Sequence, residues 1–433
     1  MRLALVFLLF LLPTPAFAQL QGLPGGLSGG LPTGVPSVGN LPVVRGLTDV
    51  ADRVEDTVTQ AAGQRLSRID DLIRRHGDVL ERSPDGDLIV RHQLVALSPA
   101  PAAMTAITAA GFTIGETTAL DSLGLQQVVL IAPHGMATKK ALRLLRKLDP
   151  DGVYDFNDIY LGSQSGGSGA GESSVHGAGG GRVGLIDGGV DTAHPAFRGA
   201  HIVQQGFAGK AVASEHGTAT ASLLVGRSDG FTGAAPGAEL IVADIYGNMP
   251  TGGSTSALLK ALDWMAGQKV GVINISLVGP PNVPLRTAVA TLVGRGYLIV
   301  AAVGNDGPAA KPLYPASFDG VVGVTAVDRR NKVLLEAGRG PQVDLAAPGS
   351  DIAAAAPGGK YVAVRGTSFA APIVAGLLAR RLSAPDPQAA RAALTWLSSQ
   401  AIDLGAKGTD TTYGAGLVGN DIRPVVPASG KKN

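Results

Sequence analysis

Cysteine is absent from all 433 residues. An acylated-cysteine anchor is therefore excluded, and any oxidising compartment is tolerated without disulfides, which a large core does not need as a mini-protein would. An excess of one charge is missing too. The 36 Lys and Arg residues face 34 Asp and Glu, and no Lys/Arg block occurs, so neither nucleic acid nor anionic lipid is an expected partner. The N-terminal apolar run Leu3–Leu12 is about half of the roughly 20 residues that a membrane-crossing helix needs. No dense Asp/Asn loop of the EF-hand kind appears, so no cofactor is expected, while calcium stays open as an ion that the sequence does not indicate.

What is present is a globular composition, 45% hydrophobic and 16% charged, with 61 glycines gathered partly in linkers. Arg2, the run Leu3–Leu12, Pro13, Pro15 and Ala16-Phe17-Ala18 before Gln19 have the parts of a secretory signal peptide, residues 1–18. Export to the periplasm or the exterior follows. Residues 19–47 are Leu/Pro/Gly-rich without a helix or strand period, and residues 162–182 are Gly/Ser-rich; the first reads as disordered, the second as a flexible tether. Residues 48–82 carry Val50, Val54, Val58, Ala61, Leu66, Ile69 and Ile73 at helical spacing. They predict an amphipathic helix that docks on the following domain or on a partner. The tail 424–433 ends in Lys431-Lys432 and reads as a frayed end.

Gly366-Thr367-Ser368-Phe369-Ala370-Ala371-Pro372 runs directly into Ile373-Val374-Ala375-Gly376-Leu377-Leu378. This sets the Ser368 hydroxyl at the mouth of an apolar helix, where unpaired backbone N–H groups favour developing negative charge. A plainer role for Thr367 or Ser368 is a helix cap. Upstream, Val183-Gly-Leu-Ile-Asp187 reads as a buried strand ending on a carboxylate, at the sheet edge where ligands gather in parallel sheets. His216-Gly217-Thr218 opens a helix of small residues. A serine nucleophile needs a base, and the base needs a group that holds its tautomer. Ser368, His216 and Asp187 can fill those roles, although each alone has a bland reading as a cap, a helix-start histidine or a turn carboxylate.

Together the blocks Ile-Asp187-Gly-Gly-Val-Asp191-x-x-His194-Pro195, His216-Gly-Thr and Gly-Thr-Ser368-Phe-Ala-Ala-Pro, in the order Asp, His, Ser, resemble the subtilisin-like serine peptidases. The resemblance implies a serine endopeptidase acting on polypeptide through an acyl-enzyme. Asn305, in Gly304-Asn305-Asp306-Gly307, matches the family's oxyanion donor. Ser276-Leu277-Val278-Gly279 matches the substrate-pairing strand, with Ala302 in the facing pocket wall and Tyr246-Gly247 on the second pairing strand. Two departures stand out: Ala219 replaces a histidine that the family usually carries, and Val278 replaces a glycine. Val278 and Val303 add bulk near the pocket and suggest a modest apolar side chain before the scissile bond. A catalytically retired scaffold acting as a binding or regulatory protein is the competing reading.

Strand-like runs at Val183–Asp187, Ile241–Tyr246, Val272–Leu277, Leu298–Val303 and Val321–Val327 alternate with helical patterns. That alternation predicts an α/β fold, a mostly parallel sheet with helices on both faces, over residues 183–423. Residues 83–161 read as β-α-β-β-α-β, a ferredoxin-like unit. By order and position this resembles the family's inhibitor-type propeptide, with Phe156–Leu161 lying in the active site like bound product. The resemblance thus implies a zymogen whose own leader is an intramolecular inhibitor.

Overall fold

The computed structural model describes residues 63–162, 165–166, 181–228 and 230–425. The expected signal peptide, the 19–47 linker, the start of the amphipathic helix, most of the 162–182 tether and most of the tail lie outside the described residues.

The N-terminal segment, or leader, is described from helix α1 (63–76), which stops at Gly77. The helical spacing suggested continuation to residue 82, but Leu80–Arg82 form strand β1, paired antiparallel with β2 (Leu88–Leu97). Helix α2 (Pro101–Ala109), β3 (Thr113–Leu120), β4 (Leu125–Ile131), α3 (Thr138–Leu148) and β5 (Val153–Asp158) follow. The five strands form one antiparallel sheet in which β2 lies between β4 and β5. Strand alternation divides its faces. Leu94 and Ala96 pack with Ile107, Leu142 and Leu145 of the leader's own helices, whereas Val95 and Leu97 join a cluster belonging to the second half of the chain. Two short strands, β6 (Leu161–Gly162) and β7 (Ser165–Gly166), follow.

The second half contains β8 (Arg182–Asp187), β9 (Ile202–Gly206), helix α4 (Glu215–Val225) and a hairpin of β10 (Arg227–Ser228) and β11 (Phe231–Thr232). It continues through β12 (Glu239–Asp244), α5 (Thr255–Gly267), β13 (Val272–Ile275), β14 (Leu277–Val278), α6 (Val283–Gly294) and β15 (Leu298–Ala302). Strands β16 (Val322–Val327), β17 (Leu345–Pro348), β18 (Ser350–Ala356) and β19 (Lys360–Arg365) precede helices α7 (Thr367–Ala379) and α8 (Pro387–Ser399).

Seven strands make one sheet in the order β17-β16-β15-β13-β8-β12-β9, and every neighbouring pair is parallel. Both faces are covered. Leu240 and Val242 pack with α4 and α7, while Ile241 and Ala243 pack with α5 and α6. Burial on both faces explains the continuous apolar runs of the central strands, which lack polar alternation. This is the α/β layering that the sequence predicts. Strands β17 and β18 were not legible beforehand, because their stretches Ala346-Ala347 and Ala353-Ala354-Ala355-Ala356 carry neither β-branched residues nor a two-residue period; β9 and β19, which do contain β-branched residues, were also absent from the predicted strands.

Candidate active site

Strand β8 ends on Asp187, at the carboxyl edge of the sheet and beside the ends of β12 and β13. The carboxylate is 1% exposed, and its charge is met by donors on every side. The Gly188 N–H reaches Oδ1 at 2.6 Å, Thr220 Oγ1 reaches Oδ2 at 3.2 Å, and His216 Nδ1 lies 2.8 Å from both oxygens. A carboxylate only accepts, so His216 carries a proton on Nδ1, and its Nε2 has no hydrogen-bond partner among the described residues. Thr220 is a site residue that the sequence reading missed. It stands one helical turn beyond His216 on α4, and that spacing is the signal that would have found it.

Helix α4 is started by Ser214, whose hydroxyl accepts the Gly217 N–H at 2.9 Å. This cap places His216 in the first turn, over the end of β8. The imidazole leans on the Phe369 ring with centroids 5.6 Å apart, which brings the start of α7 to the imidazole. Ala219 is buried in the α4 and α7 core, so the departure at this position is filled by packing.

Gly366 precedes α7 at φ 134°, a backbone that only glycine adopts without strain. Thr367 follows, its N–H donating to Asn305 Oδ1 at 3.0 Å and its hydroxyl accepting the Gly304 N–H at 3.2 Å. The bond from Thr367 fixes the plane of the Asn305 carboxamide. Ser368 is fully buried. Its hydroxyl donates to the Ser276 carbonyl at 3.1 Å, and the Ser276 hydroxyl donates back to the Ser368 carbonyl at 2.9 Å. The Ser368 carbonyl needs such a partner because Pro372, four residues on within α7, has no N–H to offer it.

The residues expected to bind substrate divide into two groups. Leu277 and Val278 form β14, which pairs antiparallel with Gly162 and Leu161 of the leader. Gly279 faces the Tyr160 ring so closely that a Cβ there would stand 2.4 Å from it. The Tyr246 hydroxyl donates to the Tyr160 carbonyl at 2.9 Å; burial pushes its pKa up, so the phenol keeps its proton. These four touch the leader strand. Ser276 and Ala302 are fully buried: Ser276 supports the Ser368 backbone, and Ala302 packs in the sheet core. Gly247 donates to Asp244 Oδ1 at 2.9 Å and shapes the turn after β12.

The described residues contain no group of three or more His, Asp or Glu poised to hold a metal ion, and none of their helices is long and apolar enough to cross a membrane.

The sequence model of the subtilase family matches residues 179–416, more than half of the chain. The chain belongs to the subtilase family. It is 32% identical to Subtilisin E of Bacillus subtilis (strain 168) over 251 residues, which span 55% of this chain and 64% of that protein. Against the Subtilisin of Bacillus pumilus the identity is again 32% over 251 residues, covering 88% of that protein. Thus this subtilase spans a little under two thirds of Subtilisin E. Among solved structures, fervidolysin from Fervidobacterium pennivorans, a keratinolytic enzyme related to subtilisin, aligns with a TM-score of 0.66 at 19% identity, over 80% of this chain and 63% of that one. At that identity the likeness speaks for a shared subtilisin-like fold.

Proposed function

We propose that this subtilase is a serine endopeptidase made as a zymogen, in which Ser368 is the nucleophile, His216 the general base and acid, and Asp187 its orienting partner. The single observation that carries the reading is the two-oxygen hold of Asp187 on His216 Nδ1 at 2.8 Å. It leaves Nε2 as the basic nitrogen, in a ring that touches the residue after Ser368.

For attack, the Ser368 hydroxyl exchanges its Ser276 carbonyl acceptor for His216 Nε2. Catalytic hydrogen bonds commonly tighten only when substrate is in place. The oxygen then attacks the scissile carbonyl while the proton passes to Nε2, and the developing oxyanion is held by the Ser368 N–H and the Asn305 amide. His216 returns the proton to the leaving amine, and water releases the acyl-enzyme by the same route. Losing one such oxyanion donor costs roughly 2.7–4 kcal/mol of barrier.

Polypeptide is the substrate because β14 offers backbone hydrogen bonds, which read extended chain more than side chain. The leader supports this reading. Leu161 and Gly162 occupy β14, and a Cβ placed on Gly162 would stand 3.5 Å from Cδ2 and 3.6 Å from Nε2 of His216. Ser165 and Gly166 pair with Arg365 and Val364, just before Gly366-Thr367-Ser368. The chain therefore approaches the nucleophile on one side and leaves on the other, and the self-cut falls between Gly162 and Ser165. In that reading residues 83–161 are the inhibitory leader, and residues 1–18 direct export.

The test is purified full-length protein with and without Ser368→Ala. Wild type is expected to yield a new N-terminus at residue 163, 164 or 165 by mass spectrometry and to be labelled by a fluorophosphonate. Ser368→Ala should remain whole and unlabelled. Cutting of the isolated variant at the same place would end the self-processing reading.

A further inference from the structure

Helix α1 reaches beyond the leader sheet to the strand in the cleft and to Asp306. Arg65, Arg68, Ile69, Leu72 and Ile73 recur at three- and four-residue spacing and so share one helical face. The Arg65 guanidinium, 14% exposed, is held by Asp87 of the leader at 3.1 Å and by Asp306 at 3.0 Å; Asp306 directly follows Asn305. Arg68 donates to the Gly162 carbonyl at 3.2 Å, at the residue lying against His216. Ile69 is buried with Leu80, Leu88, Val90, Ile159 and Leu161. One helix thus touches the leader sheet, the strand lying in the cleft and the loop of the oxyanion residue.

We propose that α1 is a second inhibitory contact, a strap that keeps the leader seated in the cleft after the self-cut. The inference rests on the peptidase reading for its consequence, whereas the strap itself is a matter of how strand 161–162 is held. Strand β6 alone pairs with β14 over two residues, a short hold for an inhibitor. Arg65 adds an ion-pair network that is partly shielded from water, unlike exposed pairs, which are worth little. Without its guanidinium, Asp87 and Asp306 lose the cation that bridges them. Arg68, being exposed, contributes less.

Two measurements test the strap separately from the chemistry. In full-length Ser368→Ala protein, amide hydrogen exchange at Gly162, Leu277 and Val278 is expected to quicken about 10-fold to 100-fold with Arg65→Ala and less with Arg68→Ala, in line with the loss of one partner of a shielded pair. Unchanged protection in both variants overturns the strap, whatever the chain's activity. In protein with Ser368 intact, the same substitutions leave the part beyond the cut chemically identical to wild type. The lag between the self-cut and the appearance of activity should shorten by a similar factor. A cut at the normal rate followed by the normal lag in both variants also overturns it. Absence of any cut in wild type counts against the peptidase reading alone, and the exchange measurement then decides the strap. Arg68→Ala alters an exposed side chain, so it keeps the test open if Arg65→Ala fails to fold.

Discussion

Ser276 and Ser368 hold each other reciprocally, each hydroxyl donating to the other's backbone carbonyl, at 3.1 Å from Ser368 and 2.9 Å from Ser276. The arrangement begins with Pro372. Because proline cannot close the helical bond, the Ser368 carbonyl is free for a donor outside the helix. Asn274 completes the chain, its Nδ2 donating to Ser276 Oγ at 2.9 Å. A residue expected to line the substrate cleft thus acts from beneath, on the backbone that carries the proposed nucleophile.

Ser276→Ala is expected to leave the Ser368 carbonyl and the Asn274 amide buried without their partner. Such a loss costs about 1–3 kcal/mol. Denaturant titration of the full-length Ser368→Ala chain, with and without the second change, measures it. A midpoint that does not move would mean that another donor takes over.

Asp187→Asn keeps the shape of the pair but offers an amide in place of a pure acceptor, which permits the wrong imidazole tautomer. With the peptidase reading, kcat should fall by about four orders of magnitude while the fold persists. Steady-state rates on an unfolded protein substrate, together with a melting curve, test this. A loss of less than tenfold would remove Asp187 from the machinery.

With the zymogen reading, retention of the leader should weaken as pH rises. Asp158 on β5 is deeply buried against Asn282, and burial pushes its carboxyl well above the ordinary range, with the Asn282 amide offsetting only part of this. Asp155 is raised as well, burial outweighing the Val283 and Phe156 N–H groups and the nearby Arg146 and Arg286. The seated leader therefore binds more protons than a released one, whose carboxylates titrate near 4. The added hold is complete below that value and is lost as pH climbs through the raised range. Gel filtration of the cut chain from acid to neutral pH should show the leader retained at the acid end and free at the other. Asp158→Asn should flatten the profile; a profile indifferent to that change would refute the assignment.

Gln127 should limit how tightly the leader is held. It lies opposite Leu97 in the β2–β4 register, on the face that packs with α5 and α6. It is 0% exposed, and neither amide atom has a hydrogen-bond partner among the described residues. Release returns the amide to water, so the cost of about 1–3 kcal/mol falls on the seated state only. Gln127→Leu should slow leader dissociation by about tenfold, read from the lag before activity. Faster release in that variant would show that the pocket rejects the leucine shape.

Much of the candidate site was legible because its three residues sit inside short contiguous blocks. Asp187 ends an apolar run, His216 opens a helix of small residues, and Ser368 precedes an apolar one; each carries its local setting in its neighbours. Ser276 in its supporting role and Arg65 were not legible in this way. Their partners are 92 and 241 residues away, and no local period records a hydrogen bond across such distances.

The amino-acid order by itself determined the α/β alternation and the three motif blocks in the order Asp, His, Ser, since strand runs, caps and glycine turns act over a few residues. Only the tertiary structure decided which nitrogen of His216 meets Asp187, which carbonyl receives the Ser368 hydroxyl, and which face of helix α1 meets the cleft. Those are relations between distant segments, and they come into being only when the parallel sheet brings its strand ends to one edge and packing leaves each polar group a limited choice of partners.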